Sequence, residues 1–182
     1  EVVSPVADDP RLLVAVVVAY SAATLAGAAV YGAGTWFGTV DPVARVFRCY
    51  GRMAPVQRTD GRLELALPST ALVDTDAPAE PGYAAFVVAL LWVTTYDGIV
   101  ATPAWAVAIR PVVGLGVPAL LVYLVTIVAG FGAFYAAYGA AARRARATAD
   151  SYVAADYLRR YFVPSLLPIA AGYHVAHFLS YF

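Results

Sequence analysis

The sequence predicts an all-α, polytopic transmembrane helical bundle of about four spans, with a small hairpin-containing insertion on the cytoplasmic side. Three observations predict it. The 182 residues are 62% hydrophobic and only 13% charged, against about 25% charged in a typical soluble domain. Four stretches are long and apolar enough for a hydrocarbon core of roughly 30 Å, which takes about 20 residues of helix. The arginines fall between those stretches rather than within them.

Taken in order, the first span covers residues 12–37 and holds no charge over its length. The second, residues 83–99, is apolar except for Thr94, Thr95 and Asp97, and Pro103 is placed to break the helix soon after it. The third, residues 112–142, is uncharged and Gly-rich, long enough to tilt or to extend beyond the bilayer. The fourth, residues 163–182, follows Arg159 and Arg160 and carries both histidines. Gly27, Gly32 and Gly34 in the first span, and Gly130, Gly132 and Gly139 in the third, permit close helix packing.

Between the first two spans, residues 38–82 form the insertion. Val43, Val46, Phe47 and Tyr50 lie at helical spacing and predict a short interfacial helix. Asp60-Gly61 stands between extended segments in which Leu63, Leu65 and Leu67 alternate with polar or small residues, a hairpin pattern. A polar, Pro-rich linker follows, and a surface helix is expected over residues 151–162 before the last span.

Arginine placement sets the orientation. Residues 38–82 hold Arg45, Arg48, Arg52, Arg58 and Arg62, and residues 143–162 hold Arg143, Arg144, Arg146, Arg159 and Arg160, against Arg11 and Arg110 on the other side. The positive-inside rule puts both Arg-rich connections in the cytoplasm and the N-terminus outside. All basic residues are arginine and the chain lacks Lys and Asn, a bias that suggests high genomic G+C content.

Composition also excludes. Twelve basic residues balance twelve acidic ones, so no basic field recruits nucleic acid. The single cysteine, Cys49, rules out an internal disulfide or a CxxC motif; with Arg48 and Arg52 beside it, either an activated thiol or an inert one is conceivable, and the inert one is favoured. No phosphate-binding loop, GxSxG elbow, HExxH or EF-hand is present. The first residues lack the pattern of a signal peptide, and a start without Met and a stop inside an apolar run suggest a piece of a longer protein whose remaining spans, or partner subunits, complete it.

Ionisable groups at bilayer depth are costly and mark candidate functional sites. In the apolar stretches these are Asp97, His174 and His177. The two histidines lie three residues apart, on one helix face with Ala170 and Tyr181. At 1.5 Å per residue, Asp97 sits roughly 21 Å along its span and the histidines roughly 16 and 21 Å along theirs, so all three reach similar height in the outer half. Asp97 is then placed to accept a hydrogen bond from an imidazole or to share a metal, with Thr94, Thr95, Tyr96 and Tyr173 around it. Two histidines alone are too few for a stable metal site. Competing readings are interfacial anchoring of the histidines with Asp97 capping the turn before Thr102-Pro103, proton or ion conduction, and, more weakly, haem ligation.

The order WFGTVDP, then RCYGRMAPV with DGRLEL, then WVTTYDGIVATPAW, and finally VPSLLPIAAGYHVAHFLSY resembles the actinobacterial and haloarchaeal integral membrane proteins called fenitrothion hydrolase-like. The resemblance covers nearly the whole chain, as the C-terminal portion of a longer protein. It implies hydrolysis of a phosphoester-type small molecule at the lipid bilayer. On that expectation Asp97, His174 and His177 hold a divalent metal, zinc or similar, that activates water, and Arg110 faces the phosphoryl oxygens. The alternative is a transporter or an ion- or proton-conducting subunit.

Overall fold

The computed structural model describes residues 9–59, 61–73, 79–80, 82–150 and 152–179. They are mostly helical, and the chain divides into two compact units, Glu1–Gly51 and Arg52–Phe182. Among the described residues, three helices are long and apolar enough to cross a membrane: Pro10–Tyr31, Tyr83–Val100 and Ala119–Thr148.

In the first unit, α1 (Pro10–Tyr31) starts where Asp9 Oδ1 accepts from the Arg11 and Leu12 amides, with Pro10 at the first helical position, an N-cap with its proline in place. Its 22 residues extend about 33 Å. The expected span to residue 37 is too long. The helix stops at Tyr31 because Gly32 takes φ +82°, a conformation that side chains disfavour. Beyond it a short turn, Ala33–Thr35, and a π-helical turn, Trp36–Val40, carry Trp36 back against α1. Its ring stacks on Tyr31 at 6.1 Å and occupies the space where a Cβ on Gly27 would sit.

That reversal ends at Asp41, only 2% exposed. Asp41 caps α2 (Pro42–Gly51) by accepting from the Ala44 amide at 2.6 Å, while its other oxygen accepts from Tyr20 Oη at 2.6 Å and Thr24 Oγ1 at 3.4 Å. The Arg48 guanidinium donates to the Phe37 and Gly38 carbonyls, which the π turn leaves in want of donors. The Ala44 amide, and after it the Tyr20 hydroxyl, hold the Asp41 carboxyl below the usual carboxylate value. On α2, the expected interfacial helix, Val43 and Phe47 are exposed, while Cys49 is buried and burial pushes the Tyr50 phenol up to about 12, Cys49 adding to it.

In the second unit, β1 (Val56–Thr59) and β2 (Arg62–Leu65) form an antiparallel hairpin with Val56 opposite Leu65 and Thr59 opposite Arg62. Gly61 takes φ +80° in the turn; Asp60 lies outside the described residues. Leu63 and Leu65 remain exposed. The linker expected after it contains a short helix, α3 (Thr70–Val73).

The helical core of this unit pairs α4 (Tyr83–Val100) with α6 (Ala119–Thr148). Trp92 joins them: its Nε1 donates to the Ile127 carbonyl at 2.7 Å, its ring lies 4.8 Å from Phe134, and it fills the position of a Cβ on Gly130. One turn on, Tyr96 Oη lies 2.6 Å from Thr126 Oγ1 and donates to the Tyr123 carbonyl at 3.1 Å. Trp105, on α5 (Pro103–Gly114), closes the cluster against Tyr96 and Tyr123.

The third expected span, 112–142, needs correction. Residues 112–114 end α5; the chain then turns at Gly116, φ +90°, and Pro118, which has no amide hydrogen to continue a helix, precedes α6. The arginines 143, 144 and 146 extend α6 instead of opening a separate connection. The surface helix begins later than expected, as α7 (Ala155–Phe162). The fourth expected span, 163–182, is a 3-10 turn, Val163–Leu166, followed by α8 (Leu167–Leu179). Its 13 residues make about 20 Å of α-helix, short of a crossing, and residues 180–182, including Tyr181, lie outside the described residues.

Two outcomes follow from this packing. Asp41→Asn, with Tyr20→Phe beside it, should lower the thermal midpoint and speed amide exchange over residues 36–45. Because the folded carboxyl titrates below its usual value, near 3.8, its contribution is complete above that pH and fades as pH falls through the lower folded value; Asp41→Asn should lack this acid-dependent part. Gly130→Leu should cost about 1–3 kcal/mol by overpacking against Trp92, while Gly132→Ala, which meets open space, stays near neutral, both read from thermal melts in detergent.

Candidate functional site

The three ionisable groups singled out in the apolar stretches lie on α4 and α8, which pack together. On α4, Tyr96 is buried against α6, so Asp97, about 100° further round the helix, is carried off that face. Thr94 Oγ1 donates to the Leu90 and Leu91 carbonyls and Thr95 Oγ1 to Leu91, the local pairing by which hydroxyls settle in an apolar helix. These hydroxyls therefore turn into their own helix, and Tyr96 toward Thr126, instead of surrounding Asp97 as the sequence suggested. Tyr173 is exposed.

On α8, Ala170, His174 and His177 recur at helical spacing. Ala170, Leu167 and Val163 are fully buried, and the small Ala170 allows the close approach that brings the following turns to α4. His177 Nε2 lies 2.8 Å from Asp97 Oδ2, with the His177 side chain 27% and the Asp97 side chain 58% exposed. His174 Nδ1 lies 3.2 Å from the Ala170 carbonyl of its own helix. The structure thus joins Asp97 to His177, at the common height that helix arithmetic gives them, and turns His174 toward its own backbone.

The cap before α5 is Thr102. Its hydroxyl accepts from the Trp105 amide and donates to the Ile99 carbonyl, which leaves the Asp97 carboxylate to the imidazole. Arg110, expected at the phosphoryl oxygens, is exposed on α5 and makes no hydrogen bond or ion pair with another described residue.

The donor set fits a hydrogen-bonded pair better than a metal. Two ligands of a tetrahedral ion, each about 2.1 Å from it, stand about 3.4 Å apart, and the imidazole and carboxylate are closer than that. Among the described residues no three His, Cys, Asp or Glu side chains converge. A resident ion would need a further ligand from outside them.

Sequence reasoning missed the Asp41 cluster, having assigned Asp41 to the connecting loop. Its trace was there. Tyr20 and Thr24 are the hydroxyls four residues apart on one face of the first span, and Asp41-Pro42 is a helix-start dipeptide. Comparison with protein-family models, curated proteins and solved structures gives no match to this chain, so its chemistry is read from the residues themselves.

Proposed function

We propose that the chain is part of a multi-pass cell-membrane protein in which Asp97 and His177 form a proton-transfer pair that serves hydrolysis of a phosphoester-type small molecule. The crossings are α1, α4 and α6, with the Val163–Leu179 stretch, about 27 Å of 3-10 and α-helix, as the core of a fourth. The Arg-rich connections face the cytoplasm. The observation that carries the reading is the 2.8 Å contact between His177 Nε2 and Asp97 Oδ2. A carboxylate beside Nε2 fixes the imidazole's orientation and raises its basicity. The imidazole–carboxylate pair takes a proton from water as the oxygen attacks phosphorus, the leaving group departs with its electron pair, and the imidazolium returns the proton. Asp97 stabilises the imidazolium in between. The hydrolytic substrate class comes from the resemblance to fenitrothion hydrolase-like proteins.

The expected result for Asp97→Asn and His177→Gln is loss of at least about 10²-fold in turnover of a chromogenic phosphotriester by detergent-solubilised protein, the scale of a lost general base. His174→Gln should retain most of it. Wild-type protein inert toward phosphotriesters would remove the hydrolase.

The half-exposed Asp97 carboxylate favours a second reading, in which the same pair relays protons between two helices of a conducting subunit or transporter. Here Asp97→Asn should abolish proton-coupled flux into liposomes. Unchanged flux in that variant sinks the relay.

A further inference from the structure

A second charged constellation lies at the far end of α6, away from the Asp97–His177 pair. The apolar part of α6 runs from Ala119 to Ala142, and Arg143, Arg144 and Arg146 follow at once. Where α6 crosses a bilayer, its first arginines stand at the level of the lipid phosphates. At that level Gly139, Arg143, Ala155, Asp156 and Arg159 line an open recess of about 180 Å³, large enough to admit one phosphate group.

The lining is preorganised and cationic. Asp156 is shared by two arginines, with Arg159 Nη2 at 2.5 Å and Arg160 Nε at 3.0 Å. The Arg160 contact is an ion pair without hydrogen-bond alignment, since its Nε–H has no accepting partner. Arg159 is further held by donating to Tyr135 Oη at 2.9 Å, by the Tyr135 ring 5.1 Å from its guanidinium carbon, and by Tyr138 Oη donating to its carbonyl. Arg159 Nε–H is nonetheless buried without a partner. Arg143, on the opposite wall, makes no ion pair with a described residue, and its guanidinium lies over Gly139, where the missing side chain leaves the recess open. Two arginines, Arg143 and Arg159, line the recess with one carboxylate.

We propose that this recess binds the phosphate of an anionic membrane lipid, phosphatidylglycerol-like in charge, between Arg143 and Arg159. The inference rests on the membrane reading given above and is independent of the hydrolase. Basic pockets at the cytoplasmic ends of spans recognise such headgroups through Arg–phosphate hydrogen bonds. Tyr135 and Tyr138, which bond to Arg159, are residues suited to an interfacial zone.

The full chain in detergent micelles, titrated with phosphatidylglycerol or phosphatidylcholine and read by native mass spectrometry, tests this. Phosphatidylglycerol should be retained over phosphatidylcholine. Arg143→Gln and Gly139→Leu, the second filling the recess without touching charge, should each lower that retention about fivefold, the scale of one arginine near a phosphate, and Arg143→Lys should recover much of it. Arg146→Gln, on the same helix but outside the recess, should change it less than about twofold. Equal retention of the two lipids overturns the site, as does a loss in Arg146→Gln equal to that in Arg143→Gln. Displacement of bound lipid by millimolar inorganic phosphate assigns the recess to free phosphate and overturns the lipid. A chain that stays monomeric in plain buffer sinks the membrane reading itself, whereas a detergent-requiring chain without lipid preference sinks this proposal alone.

Discussion

A polar group carried on an apolar helix gains most from a partner inside the protein, because apolar surroundings offer none and an unsatisfied group costs up to several kcal/mol; the indole N–H groups of Trp36 and Trp105 are buried without one. That constraint organises both units. In the second unit, Trp92 and Tyr96 spend their single N–H and O–H on backbone carbonyls and a threonine of α6, so the same two side chains supply packing area and directional bonds between α4 and α6. Gly130 permits it, since only a residue without Cβ accommodates the Trp92 ring. In the first unit the constraint takes a different form. Asp41 lies against Tyr20, eleven residues or about 16 Å back from the end of α1, because the chain after Gly32 folds back along the helix. The Arg48 guanidinium, bonded to the carbonyls of the π turn, and the donors around Asp41 pair the polar groups of that reversal.

The consequence for architecture is that helix ends here are set by special residues more than by where hydrophobicity runs out. Gly32 and Gly116 both take positive φ, and each ends or redirects the chain inside an apolar stretch that reads as continuous. Pro103 and Pro118 each mark the start of a new helix. The apolar content of 10–31, 83–100 and 119–148 was therefore plain from hydropathy, while the breaks within 12–37 and 112–142 depended on backbone conformation, which a hydropathy window does not weigh. The short helix α2 and the hairpin were legible for the opposite reason: their patterns are short and local, with a 3.6-residue apolar spacing in α2 and a glycine turn between alternating strands.

The candidate site was legible in part. Helix arithmetic alone put Asp97 and His177 at one height, because both stand about fourteen residues along apolar segments that run the same way. It did not show that His174, one turn earlier on the same face, would spend Nδ1 on the Ala170 carbonyl, since both histidines carry the same helical phase and only the rotamer separates them. Nor could it place Asp41, whose partners Tyr20 and Thr24 come from a chain reversal of about twenty residues that no periodicity encodes.

The two acids, Asp41 and Asp97, sit in contrasting environments. Asp41 is closed from solvent and accepts from an amide and two hydroxyls; neutral donors of that kind hold it as an anion to a pH below the usual carboxylate range. Asp97 has a titratable partner instead, and more than half of its side chain is open to its surroundings. A proton gained or lost by His177 changes the charge of that pair while the hydrogen bond persists, so the pair can exchange protons with a substrate or with water without rearranging the helices that hold it. Interfacial anchoring needs none of this: a histidine at a membrane surface gains from water and headgroups and has no use for a carboxylate projected from a neighbouring helix. The pairing of Asp97 and His177 joins α4 to α8, and the proposed proton transfer makes use of it where anchoring does not.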